Sequence, residues 1–145
     1  MMLDRAWIAA HIPHQGRMCL LDQVERWTAD EIVCSTTSHR RADNPLRDAD
    51  SLGPTHGIEY AAQAMAVHGA LLGAESDGPR QGYLTSARDV AWHVSRLDAI
   101  AGALAVRAQR LSGQGHLVLY QFSLEGDGRL LMSGRATVVL DSAIR

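Results

Sequence analysis

The chain has 145 residues and a formal net charge of −2, with 46% apolar and 21% charged side chains, and all 14 of its basic side chains are arginine. That length suits one domain with a core that needs neither disulfides nor metals, so residues 1–145 are read as a single domain. The near-neutral charge argues against a nucleic-acid binder working through a broad basic patch. No run approaches the ~20 apolar residues of a membrane span. The opening MMLDRAWIAAHIPH also lacks the basic start and long apolar run of a secretory signal, so a cytoplasmic protein is expected. Cys19 and Cys34 are too few for a disulfide framework and form no CxxC pair.

In chain order, residues 4–10 read as a short helical turn stopped at Ile12-Pro13. Met18 to Trp27 alternates like a strand whose first half is apolar on both faces. Residues 31–38 follow a Thr28-Ala29-Asp30 turn and read as its hairpin partner. Residues 39–55 form a long polar loop, and loops of that size inside a compact domain are often functional. Residues 56–75, HGIEYAAQAMAVHGALLGAE, are apolar around nearly the whole circumference, as in a buried helix, with Thr55 as its N-cap. Strands are expected near 82–94, 103–111, 116–125 and 129–140, with turns at Gly113-Gln114-Gly115 and Asp127-Gly128. In the last strand Leu130, Met132, Gly134, Ala136, Val138 and Leu140 fall on one face. One long buried helix within about six antiparallel strands is an α+β layer architecture.

The informative chemistry lies on that helix. His56, Glu59 and Gln63 are spaced i, i+3, i+7 and share one stripe. A carboxylate on a buried helix is costly unless it is paired or used, and desolvation would raise the pKa of Glu59 toward the range of a general acid. A plainer reading also fits: Glu59 as a first-turn carboxylate favoured by the helix dipole, His56 as a junction residue and Gln63 as a satisfied core amide. His68 lies off the stripe and is given no role. Seven histidines could suggest zinc, but no HxH, HExxH or Cys/His ligand spacing occurs, so no metal or organic cofactor is expected.

Longer strings carry a resemblance. IPHQGRMCLLDQV looks like the first strand segment of bacterial β-hydroxyacyl-acyl-carrier-protein dehydratases. GIEYAAQAMAVHGALL resembles that family's central helix, and YLTSARDVAWHV the strand after it. His14, Gly16, Met18, Leu20, Leu21 and Asp22, followed by Gly57, Ile58, Glu59 and Tyr60, match most closely a divergent branch, the dehydratases associated with aryl polyene biosynthesis. The resemblance spans roughly residues 10–140. It implies a hot-dog fold, a long central helix wrapped by an antiparallel sheet and normally dimerised edge to edge. It also implies an acyl thioester substrate carried by the phosphopantetheine arm of an acyl carrier protein, on either a homodimer or a heterodimer with another hot-dog protein.

One departure shapes the site expectation. The fatty-acid enzymes carry a Gly-His-Phe-Pro-Gly motif before the glutamate, but here the corresponding position is Pro45 and His39 is the loop's one histidine. His14, favoured because its motif matches the divergent branch, and His56 are the remaining bases. The resemblance thus implies dehydration of a 3-hydroxyacyl thioester to the trans-2-enoyl product, with His14 as base and Glu59 as acid. Gln63 would orient Glu59 or a water from one turn away, and the amides around His56 and Gly57 would polarise the thioester carbonyl. A hot-dog thioesterase, or a non-catalytic partner subunit of a heteromeric dehydratase, would use the same scaffold. Met65, Tyr83, Leu84, Trp92 and Tyr120 are candidates for the tunnel lining. Because arginine binds phosphate in a fork geometry, Arg88 and Arg96 are the candidate carrier-docking residues.

Overall fold

The structure is a computed structural model that describes residues 3–49, 51–74, 81–114 and 116–141. Helix α1, Arg5–His11, begins at Asp4, whose carboxylate accepts the Trp7 amide at 3.0 Å. Strands β1 (Gln23–Trp27) and β2 (Glu31–Thr36) form the first hairpin, and helix α2 (Gly57–Ala74) follows the long loop. Strands β3 (Gln81–Trp92), β4 (Leu104–Gln114), β5 (Leu117–Gly126) and β6 (Arg129–Asp141) complete an antiparallel six-stranded sheet. Its order is β1-β2-β4-β5-β6-β3, so β1 and β3 are the edges. The sheet curves around α2 without closing, as a hot-dog fold does.

The helix sequence dictates this packing. Tyr60, Ala61, Ala64, Met65, Val67, Ala70 and Leu71 are buried, too wide an arc for a surface helix. Leu104, Val106, Ala108, Val118, Tyr120, Phe122, Leu124, Met132, Ala136 and Val138 supply the sheet's half of the core. The β5–β6 turn is the expected one: Asp127 (φ 52°) and Gly128 (φ 75°) both take the left-handed conformation that a tight hairpin turn needs. Gly57 starts α2 where the helix meets β6, and a Cβ there would lie 2.0 Å from the Met132 sulfur.

Several sequence expectations shift. The strand expected from Met18 begins only at Gln23, and Gly16–Met18 is instead a 3₁₀ turn with Gly16 at φ 59°. The reason is competition for backbone groups between Met18 and Leu20, which are bound by side chains rather than a neighbouring strand. The helix is preceded by a 3₁₀ turn over Pro54–His56, so Thr55 is not a side-chain cap. In β6 a bulge sets Leu124 opposite Met132 but Glu125 opposite Leu130, so Leu131 is fully buried and Leu130 faces out, against the simple alternation. The expected turn at Gly113-Gln114-Gly115 falls later, because β4 runs to Gln114; Gly115 lies outside the described residues.

The loop before α2 is fastened by a buried polar chain. Asn44 Nδ2 donates to the Tyr60 hydroxyl at 3.0 Å, Tyr60 and Ser38 bond at 2.9 Å, and Ser38 Oγ donates to the Leu20 carbonyl at 2.7 Å. Since the Ser38 proton goes to Leu20, the Tyr60 proton goes to Ser38, and every link has one donor and one acceptor. His39, at the loop's start, is fully buried with Nε2 3.0 Å from the Ile100 carbonyl, which makes it a core post rather than a catalytic group.

Candidate functional site

Glu59 enters from the first turn of α2 and His14 from the strap between α1 and β1. The strap is tied to α1 by Gln15 Nε2, 2.6 Å from the Ala9 carbonyl, and by Arg5, which donates to the Gly16 carbonyl at 3.0 Å. These ties bring His14 Nε2 to 3.2 Å from Glu59 Oε2 within one chain. The two side chains keep 25% and 34% of their surface exposed, so the pair is sheltered yet reachable.

Gln63 is fully buried, with its oxygen and both of its N–H groups bonded. Its Oε1 accepts the Leu20 amide at 2.9 Å, and Nε2 donates to the Met18 carbonyl at 2.7 Å and to Glu59 Oε2 at 3.1 Å. One amide therefore fixes the strap below His14 and the carboxylate it meets. The i, i+4 spacing of Glu59 and Gln63 made their contact legible.

The electrostatics reverse one expectation. The hydrogen bond from His14, helped by the one from Gln63 and by the charge of His14, outweighs desolvation and holds the Glu59 carboxyl below its ordinary value. Glu59 is thus an ionised acceptor at neutral pH, not the resting proton donor that burial alone suggested. In the neutral imidazole the Nε2 that faces this carboxylate carries the proton. That leaves Nδ1 with the lone pair, and Nδ1 is buried without a partner among the described residues.

The expected oxyanion donors are otherwise engaged. The His56 amide donates to the Gly53 carbonyl at 3.3 Å and the Gly57 amide to Pro54, because the 3₁₀ turn extends the helix backwards. The His56 side chain makes no hydrogen bond among the described residues and is not drawn to Glu59. Arg96 is likewise committed: it bonds Asp98, 2.5 Å away, whose carboxylate also accepts the Leu52 amide and lies 3.8 Å from Arg47. The Arg96 guanidinium is the main reason Asp98 is held at about 2. Arg88 is exposed on β3. Among the tunnel candidates, Met65 and Tyr120 are core residues, Leu84 and Trp92 are exposed, and the Tyr83 side chain lies outside the described set.

His68, which carried no sequence expectation, is fully buried. Its Nε2 lies 2.8 Å from the Thr28 carbonyl and its Nδ1 2.6 Å from the Tyr120 hydroxyl. The carbonyl can only accept, so Nε2 carries the proton and Tyr120 donates to Nδ1. Burial lowers the pKa of His68, which keeps it neutral. No group of three His, Cys, Asp or Glu side chains able to hold a metal ion occurs among the described residues.

Comparison with known proteins adds family information. A family model described as ApeP-like, ApeP dehydratase, matches residues 6–144. A search of curated proteins finds no match. Among solved structures, the dehydratase heterocomplex ApeI:P from Xenorhabdus doucetiae aligns with TM-score 0.83 and 22% identity, over 93% of this chain and 91% of that one. A thioesterase from Haemophilus influenzae aligns with TM-score 0.62 and 10% identity, over 85% and 80% of the two chains. A hypothetical thioesterase with coenzyme A from Streptococcus pneumoniae gives 0.61 and 12%, over 82% and 84%. At these identities the structural likenesses establish the hot-dog fold.

Proposed function

Because the chain belongs to the ApeP-like dehydratase family, we propose that it dehydrates a 3-hydroxyacyl thioester, borne by an acyl carrier protein, to the trans-2-enoyl thioester. The observation that carries this reading is the His14–Glu59 pair, closed within one chain and braced by Gln63. His14 Nδ1 holds the lone pair but is covered in the free chain, so substrate entry must uncover it before it accepts the proton from C2. The imidazolium then passes its Nε2 proton to Glu59, and the protonated carboxyl delivers it to the oxygen leaving C3. The C2–H and C3–O bonds break, the C2–C3 double bond forms, and the oxygen departs as water. Glu59 is the acid, as the resemblance implied, but it acquires its proton during turnover. General acid–base catalysis of this kind contributes roughly 10²- to 10⁴-fold.

The scaffold also supports a partner. Strand β3 pairs on one side only, with β6, and exposes Leu84 and Trp92, so its free edge suits a second hot-dog subunit, whether another copy or a different chain. The ApeI:P neighbour is a heterocomplex, which favours the latter. The test is an assay of the purified protein on a 3-hydroxyacyl carrier thioester, alone and mixed with a hot-dog partner, following both enoyl product and free acid. Enoyl formation supports the reading. Free acid in its place assigns a thioesterase, and activity that is insensitive to the loss of His14 in the mixture assigns a non-catalytic subunit.

A further inference from the structure

The outer face of the sheet carries an unusual pair. Arg88 on β3 and Arg135 on β6 are direct cross-strand partners. Their neighbours in register are Ala87 and Ala136, and Ala136 is buried toward the helix, so both arginines project from the opposite, outer face. Side chains at directly opposed positions have Cβ atoms about 4.5–5.5 Å apart, and like charges there are destabilising. Both residues are exposed, and neither makes an ion pair or hydrogen bond among the described residues.

No carboxylate forms an ion pair with either arginine among the described residues. The next position across the sheet is Gln121 on β5, then Gln109 on β4, and the carboxylate that ends this row, Glu31 on β2, is bound to Arg107. Along the strands the same face presents Ser86, Ser133 and Thr137, which can hydrogen-bond an anion without opposing it. Asp89 follows Arg88 at a bulge with φ 55° and forms no ion pair with either arginine. Five other arginines meet a carboxylate, Arg5 with Asp22, Arg41 with Asp43, Arg47 and Arg96 with Asp98, and Arg107 with Glu31, and what distinguishes Arg88 and Arg135 is that they stand directly opposite each other in register.

We propose that Arg88 and Arg135 form one anion-binding fork that docks the acidic carrier protein and the phosphodiester of its thioester arm, a step that rests on the carrier-linked reading above. Two guanidinium groups held by a strand ladder can grip phosphate or carboxylate oxygens bidentately, which lysines would not do. The pair replaces the expected Arg88 and Arg96, because Arg96 is spent on Asp98 while Arg135 stands beside Arg88.

The experiment compares the wild type with Arg88→Gln, Arg135→Gln and the double charge reversal Arg88→Glu/Arg135→Glu. The double variant should lose on the order of tenfold or more in kcat/KM on the carrier-linked thioester, expressed as a ratio to the N-acetylcysteamine thioester, with most of the salt dependence gone. Each Gln variant should weaken binding of the phosphopantetheine-bearing carrier while leaving the thermal midpoint no lower than wild type, since a repulsion has been removed. Unchanged carrier binding in the double variant overturns the proposal. So does a change in subunit stoichiometry by light scattering, which would assign the pair to a subunit interface. Carrier binding is measured without turnover, so a wild type that binds carrier but dehydrates nothing refutes the dehydratase reading alone.

Discussion

Replacing Gln63 by leucine removes three hydrogen bonds at almost constant volume. The Leu20 amide and the Met18 carbonyl lose their partner, and Glu59 loses one of its two donors. An orphaned buried backbone group costs about 1–3 kcal/mol, so two give about 2–6 kcal/mol. The Met18 side chain is exposed, so water can reach its carbonyl more readily than the Leu20 amide, which places the sum toward the low end. The leucine's extra apolar burial offsets at most about 2 kcal/mol, leaving a net loss of about 1–3 kcal/mol. Urea unfolding at neutral pH reads this as a lower midpoint with an unchanged slope. A titration of Glu59 by carboxyl NMR should show its pKa rising in the same variant, because a donor to its charged form is gone. Wild-type stability together with an unmoved Glu59 pKa would refute the bracing role of Gln63.

Other expectations follow from neighbouring contacts. Burial lowers the pKa values of His68 and His39 in the folded chain, so the unfolded chain binds their protons first as pH falls below the ordinary value of 6.5. Folding stability should therefore decline from pH 7 toward pH 5 in urea titrations, and the decline should be smaller in His68→Gln. Tyr120→Phe leaves His68 Nδ1 without its donor and should cost about 1–3 kcal/mol by the same measurement. Gly57→Ala drives a Cβ into Met132 and against Leu124, and should cost about 1–2 kcal/mol after the better helix propensity of alanine is counted. Combining it with Met132→Ala should show a favourable coupling, because the second change removes the clashing sulfur.

What the sequence made legible follows from short-range physics. The buried helix was readable because apolar residues cover most of its circumference, the β5–β6 hairpin because Asp127-Gly128 suits a turn with two positive φ angles, and the Glu59–Gln63 contact because i and i+4 are neighbours on a helix. His14 could be nominated only through its surrounding motif, since its meeting with Glu59 depends on a strap fastened by Arg5, Gln15 and Gln63. The misreadings had tertiary causes. Leu130 and Leu131 exchange faces because of a bulge set by the pairing with β5. Glu59 shifts downward because a histidine distant in sequence supplies a hydrogen bond that burial alone does not reveal. The opposition of Arg135 and Arg88 is a matter of strand register, which the sequence alone does not display. The Arg96–Asp98 contact is local in sequence, but the loop it fastens, through the Leu52 amide, is not.

The central claim is that His14 and Glu59 together move the proton. Its most direct test is the dehydration rate of a 3-hydroxyacyl carrier thioester by His14→Ala and Glu59→Gln, each first shown to be folded by circular dichroism and run with whatever partner subunit the wild type requires. Each substitution should lower kcat by roughly 10²- to 10⁴-fold. Wild-type turnover by either folded variant would contradict it.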